Sequence, residues 1–228
     1  MTSPLLVERT DQITRLTLNR PEKAHALDAP LTEALLVAVD QACVDDTRLL
    51  VLTGTGNHFC AGFDFSDLET QSEGDLLQRF VRIEQVLQAL WHAPLATVAL
   101  AYGGSFGAGA NLVCACERRL AAPGSWFRMP GLRFGLVLGT RRLAARLGAA
   151  AARQVLATSA VFDAEEAAYL GFINAIVAPT DWPALTQRLC ADAATLTPSA
   201  RATLNHLTAP DTRDADLADL VRSAAQRA

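Results

Sequence analysis

Two short stretches carry the residue types from which a reaction site can be built. In GTGNHFCAGFD (residues 54–64), His58, Cys60 and Asp64 stand among glycines, with Asp67 just beyond. In AYGGSFGAGANL (residues 101–112), Ser105 lies between Gly103 and Gly104 on one side and Gly107 and Gly109 on the other. Read literally, residues 103–107 spell G-x-S-x-G, the nucleophile turn of serine hydrolases, which needs an acid and then a histidine later in the chain. His206 is the later histidine, with Asp181 or Asp192 as the acid. Cys60 would need a basic neighbour to become a thiolate, and no adjacent histidine pair supplies one in sequence. The glycines allow a different chemistry. They let backbone approach another group closely and leave unpaired N–H donors at a helix N-terminus, a place that holds negative charge. Their plainer reading is a tight strand-to-helix connection.

Each stretch needs a buried strand before it to hold it still. Residues 49–53 (LLVLT) and 95–102 (LATVALAY) are continuous apolar runs of strand length, and the chain resumes after residue 109 as an apolar helix. Around them, residues 5–9 and 13–18 alternate as a hairpin turning at Thr10-Asp11. A polar loop stiffened by Pro21 spans 19–28, and Asp28 caps a helix over 30–43. The pattern predicts a helix over 75–91 stopped by Pro94, a strand over 118–122, a loop over 125–139, and helices over 141–147, 150–157 and 163–170. A strand over 172–177 and helices from 182 to 228, broken at Pro198 and Pro210, complete the chain. Strands alternating with helices make an α/β fold.

With 228 residues, the chain suits one domain or one domain with a small appendage. Half the residues are hydrophobic and 19% are charged, which leaves room for a buried subunit interface. A net charge of −4 argues against nucleic-acid binding. No apolar run reaches membrane-spanning length and no signal pattern opens the chain, so a cytoplasmic protein without a membrane partner is expected. Cys43, Cys60, Cys114, Cys116 and Cys190 are odd in number and irregularly spaced; they read as reduced thiols, and no metal site is expected. Lys23 stands alone against nineteen arginines.

Four segments in order resemble one family. The loop NRPEKAHALD (19–28), the turn FCAGFD (59–64), the stretch GGSFGAGANL (103–112) and the passage DAEEAAYLGFINAIV (163–177) are similar to segments of the enoyl-CoA hydratase/isomerase, or crotonase, superfamily. The resemblance covers roughly residues 5–210. It implies a spiral of ββα units over residues 1–180 and a C-terminal helical region over 181–228, shortened relative to the family, in a homo-oligomer, either a trimer or a dimer of trimers. It also implies an acyl-CoA thioester substrate in fatty acid metabolism, with coenzyme A as part of the substrate and no permanently bound cofactor. Two backbone N–H groups, carried over to Phe63 and Ala108, would hold the developing oxyanion at the thioester carbonyl. A preorganised donor of this kind supplies roughly 3 kcal/mol of transition-state stabilisation. Lys23, Ala24, Ala26, Ala61, Phe63 and Gly107 would contact the CoA portion, with Lys23 a phosphate partner.

The resemblance breaks where the family's hydratases keep two glutamates as general acid and base. Asn111 and Gly131 stand at those two positions. A positioned acid or base contributes about 10²–10⁴-fold, so efficient hydration is not expected, nor isomerisation through the second position. Decarboxylation or thioester hydrolysis stays open, as does an inactive acyl-CoA-binding paralogue or the serine hydrolase using Ser105. Asp64 is a weak substitute for the missing carboxylates and a structural cap on the plainer reading. His58 and His25 read as loop residues, and Arg133 and Arg141 as surface residues within reach of an acidic acyl group.

Overall fold

A computed structural model describes residues 3–226. β1 (Leu5–Thr10) and β2 (Ile13–Leu18) pair antiparallel. Their turn falls at Asp11 and Gln12, both left-handed (φ 50° and 65°), one residue later than the sequence pattern suggests. Asp28 accepts from the Leu31 N–H and caps α1 (Ala29–Val44), as expected. The chain continues through β3 (Leu49–Gly54), α2 (Glu73–Trp91), β4 (Ala96–Ala101), β5 (Gly104–Phe106), α3 (Ala108–Ala115), β6 (Arg118–Ala121), β7 (Trp126–Arg128), α4 (Thr140–Leu147), α5 (Ala149–Thr158), β8 (Phe162–Asp163), α6 (Ala164–Tyr169), β9 (Ala175–Ile176), α7 (Trp182–Ala194), α8 (Pro198–Thr208) and α9 (Arg213–Ala225). α2 starts earlier than expected because Ser72 and Asp75 form a reciprocal capping box.

Among the described residues, one sheet runs β1-β2-β3-β4-β6-β9, parallel from β2 onward, and a small second sheet runs β5-β7-β8. The main sheet is covered on both faces, which explains its unbroken apolar runs. Leu16, Leu50 and Leu52 face the large core under the helices. Val51, Val98 and Leu100 face a smaller core closed by Leu185, Leu189 and Cys190 of α7. The small sheet corrects two expectations. β5 lies inside the glycine-rich stretch, where Gly104 is needed because the Trp126 indole lies over it and leaves no room for a Cβ. β7 lies inside the stretch expected to be loop, and the strand expected over 172–177 shrinks to Ala175–Ile176.

A buried ionic cluster ties the last helix to the core. Arg142 and Glu84, 3% and 1% exposed, pair at 2.5 Å, and Asp216 of α9 lies 3.4 Å from Arg142 while also holding Arg141 at 2.9 Å. Ser223 of α9 accepts from the Val137 N–H, so α9 also holds the segment before α4. No helix among the described residues is long and apolar enough to cross a membrane.

Candidate active site

The two glycine-rich turns, 54–64 and 103–109, meet backbone to backbone. Phe59 N–H and Cys60 N–H both donate to Gly104 O (3.1 and 3.3 Å), and Phe106 N–H donates to Cys60 O (2.9 Å). His58 Nδ1 accepts from the Gly104 N–H at 3.1 Å, a further tie between the turns. Gly62 sits with φ +84° where a Cβ would overlap Phe106 O and crowd the Ala108 nitrogen. Gly107 precedes α3 with φ 53° and ψ −116°, a conformation open essentially to glycine.

This contact leaves two N–H groups free at one place. Leu27 bridges to Phe63: Leu27 N–H donates to Gly62 O (2.6 Å) and Asp64 N–H to Leu27 O (3.2 Å), so the ladder brackets Phe63 without using its own N–H. Ala108 opens α3, where an N–H has no partner within the helix. Among the described residues no protein acceptor takes either one, and both residues line the same cavity. Each donor is also strengthened from behind. Gly62 O and Gly107 O, the carbonyls of the two donor peptides, accept hydrogen bonds, the latter from both Asn111 N–H (3.0 Å) and Asn111 Nδ2 (3.2 Å).

The cavity is apolar. Phe63, Phe65, Phe80, Phe106 and Phe134 ring it, and Met129, Gly131, Leu136 and Leu138 continue the wall. Phe63 stacks on Phe80 at 4.5 Å and meets Phe65 edge-on at 5.0 Å. Asn111 and Thr140 bring the polar side chains; among the described residues no ionisable side chain lines it. Asn111 and Gly131 both line this cavity. Asn111 Oδ1 is buried without a hydrogen-bond partner. It occupies the space a Cβ on Gly139 would fill.

The other sequence candidates lie elsewhere. Asp64 is outside the cavity wall: its carboxylate accepts from Ser66 N–H (2.9 Å) and pairs with Arg20 (3.0 Å). Burial opposes its charge, yet these Ser66 and Arg20 bonds hold the carboxyl below the usual range. His25, read from sequence as a loop residue, is fully buried. Its Nδ1 accepts from Arg20 N–H (2.9 Å) and its Nε2 donates to Thr55 O (2.5 Å), so it is neutral, and burial lowers its pKa. Arg20 folds the 19–28 loop through Ala26 O, Asp28 and Asp64. Ala61 N–H on Ala24 O (2.8 Å) lays that loop along the first turn. Lys23 is exposed beside it, donating to Ser66 Oγ at 3.2 Å.

Cys60 donates to His25 O, and burial pushes its thiol up to about 12, which leaves it inert at neutral pH. Ser105 is sealed in β5 with its Oγ unpartnered, so it has neither the exposure nor the histidine that a nucleophile turn needs. His206 and Asp192 lie on α8 and α7, Asp181 just before α7, and Asp67 on an exposed turn, all outside the cavity wall. Arg133 donates to Thr158 O, and Arg141 is taken by Asp216 and Asp219. Arg20, Ser66, Arg79 and Thr140 escaped the sequence reading. Arg20, Ser66 and Arg79 meet partners distant in sequence, Thr140 only lines the cavity, and no local pattern marks any of them.

The sequence model of the enoyl-CoA hydratase/isomerases matches residues 8–226. The chain belongs to the enoyl-CoA hydratase/isomerase family. Among family relatives, a probable enoyl-CoA hydratase of Mycobacterium leprae is 33% identical over 77% of this chain and 72% of its own length. One from Rhodobacter capsulatus is 35% identical over 77% and 69%. A crystal structure from Bordetella parapertussis, described as a candidate enoyl-CoA hydratase/isomerase, superposes with a TM-score of 0.97 at 50% identity, covering 99% of this chain and 94% of that one. The fold is therefore the α/β crotonase fold, and the meeting turns are the part of this family member that the sequence marks most clearly.

Proposed function

We propose that the protein binds a coenzyme A thioester and polarises its carbonyl between the Phe63 and Ala108 N–H groups, without a general acid or base to add water. The observation that carries this reading is a pair of unspent N–H donors on a cavity whose described wall has no ionisable side chain. Two such donors aimed at a developing oxyanion are worth several kcal/mol, about 10²–10³-fold each. Chemistry that needs only this is decarboxylation of a 2-carboxyacyl thioester. The C–CO₂ bond breaks, its electron pair moves through the α-carbon onto the carbonyl oxygen held by the two N–H groups, carbon dioxide leaves, and water protonates the α-carbon. The apolar wall favours loss of the carboxylate charge. Thioester hydrolysis fits less well, because nothing in the wall can take the proton of the attacking water. Lys23 and Ser66, exposed beside the first turn, would meet CoA phosphates, and Ala24, Ala26 and Ala61 would lie along the CoA portion.

Ala108→Pro tests the reading. It deletes one N–H at the first helical position, where proline's fixed φ suits a helix. Turnover of a 2-carboxyacyl-CoA should fall at least about 100-fold with CoA affinity nearly kept. Turnover unchanged in a folded variant would refute the role of Ala108. The missing acid and base also favour a second reading, acyl-CoA binding without chemistry, which a thioester panel giving binding but no product would support. We also infer a homo-oligomer, a trimer or a dimer of trimers. The exposed Tyr169 (89%) and Leu207 (76%) offer apolar surface for it, and light scattering at a multiple of three chain masses would bear it out.

A further inference from the structure

We propose that Arg79 is the positioning residue of the first oxyanion donor, locking Phe63 so that its N–H points at the thioester carbonyl; this rests on the two-donor reading above. Arg79 projects from α2, outside both glycine-rich turns. Its guanidinium carbon lies 4.1 Å from the centroid of the Phe63 ring. Its Nη2 donates to Asp64 O at 2.7 Å and to Leu27 O at 3.4 Å, and its Nη1 donates to Gln71 Oε1 at 2.9 Å.

These contacts close a frame around one residue. Leu27 is the bridge partner of Phe63 and its O accepts the Asp64 N–H, so Arg79 clips the carbonyls of both residues beside Phe63. It also presses the Phe63 ring, which stacks in turn on Phe80, the next residue of α2. Arg79 thus holds the Phe63 ring directly and reaches its donor peptide through the two neighbours, Asp64 and Leu27, the latter of which donates its N–H to Gly62 O of that peptide.

A direct ion pair is not what holds Arg79. Among the described residues Arg79 forms no ion pair. The carboxylate of Asp64 is already committed to Arg20 and the Ser66 N–H. Asp64, Asp28 and Asp67 act on Arg79 only through space, while its hydrogen bonds go to two backbone carbonyls and the Gln71 amide. Its planar fork over an aromatic face is a geometry lysine cannot reproduce.

The test uses 2,4-hexadienoyl-CoA, a conjugated thioester whose absorption moves to longer wavelength as its carbonyl oxygen gains negative charge. Full-length wild type, Arg79→Met and Arg79→Lys are each saturated with it, and affinity is measured by titration. Wild type should show the red shift. Arg79→Met should bind within about threefold of wild-type affinity yet lose at least half of the shift, and Arg79→Lys should fall between. A full shift in folded Arg79→Met, or in Arg79→Lys should the methionine variant fail to fold, overturns the positioning role and leaves the two-donor site standing. Binding to wild type without any shift overturns the two-donor site itself, and the positioning role with it.

Discussion

At the scale of single residues, the proposed site turns on Asn111 and Gly131, which line the cavity without a carboxylate. Asn111 cannot exchange a proton at neutral pH. Its Nδ2 instead donates to Gly107 O, the carbonyl of the peptide that carries the Ala108 donor. A glutamate there would lose that bond, so on the proposed reading the asparagine supports the Ala108 donor and supplies no acid or base. Gly131 does not have a positive φ, and a Cβ there would stand 3.1 Å from Leu136 O, a tight contact that requires the backbone to give by a few tenths of an ångström. Introducing Asn111→Glu and Gly131→Glu together should therefore raise hydration of crotonyl-CoA at least about tenfold over wild type. This is less than the 10²–10⁴ of a well-placed acid or base, because the longer glutamate must be seated in the space that Gly139 leaves for the asparagine. The rate is followed by loss of the enoyl absorbance. Wild type hydrating as fast as a dedicated hydratase would show that the missing carboxylates are not missed.

At the scale of elements, α2 does more than cover the sheet: from its middle Phe80 and Ile83 line the cavity and Arg79 lies against Phe63, and Glu84 pairs with Arg142 of α4, which also meets Asp216 of α9. Glu84 and Arg142 are almost wholly buried, so removing one strands the other. Glu84→Ala should cost about 3 kcal/mol or more in denaturant unfolding, with Asp216 softening the loss, whereas Glu84→Gln, which keeps hydrogen-bond acceptors, should cost less. None of this was legible along the chain, since Glu84, Arg142 and Asp216 are far apart in sequence and look like helix surface. What was legible is local. The runs at 49–53 and 95–102 are buried on both faces and could be little but strands. Asp28 sits where a cap is needed, and the glycines at 62 and 107 mark tight turns. β5 and β7 stayed hidden because three-residue strands show no period, and Gly104 is small for the sake of Trp126 rather than for a turn. His25 was misplaced for a similar reason: a polar loop does not reveal that its histidine folds inward.

At the scale of the whole molecule, two histidines make stability depend on pH. Burial lowers the pKa of His25 below its ordinary 6.5; Arg20 and His58 add to this, against Thr55 O and Glu22. Burial also lowers that of His92, where Arg213 and Arg142 reinforce it and Asp211 and Asp216 oppose it. In the unfolded chain both bind a proton as pH falls through about 6.5. In the folded chain they resist, so the unfolded state binds more protons and stability drops as pH falls. The slope is at most about 1.4 kcal/mol per pH unit for each histidine, and it vanishes above neutrality, where both states are deprotonated. The carboxylates, with ordinary values of 3.8 and 4.5, enter only at lower pH. Melting temperature should therefore be flat from pH 8 to 7 and decline from pH 7 to 5. His25→Gln should melt lower at pH 8, having lost the bonds to Arg20 and Thr55, and yet decline less steeply between pH 7 and 5, the remaining slope belonging to His92. A decline in His25→Gln as steep as in wild type would mean that the loop around position 25 opens and admits the proton without unfolding the chain.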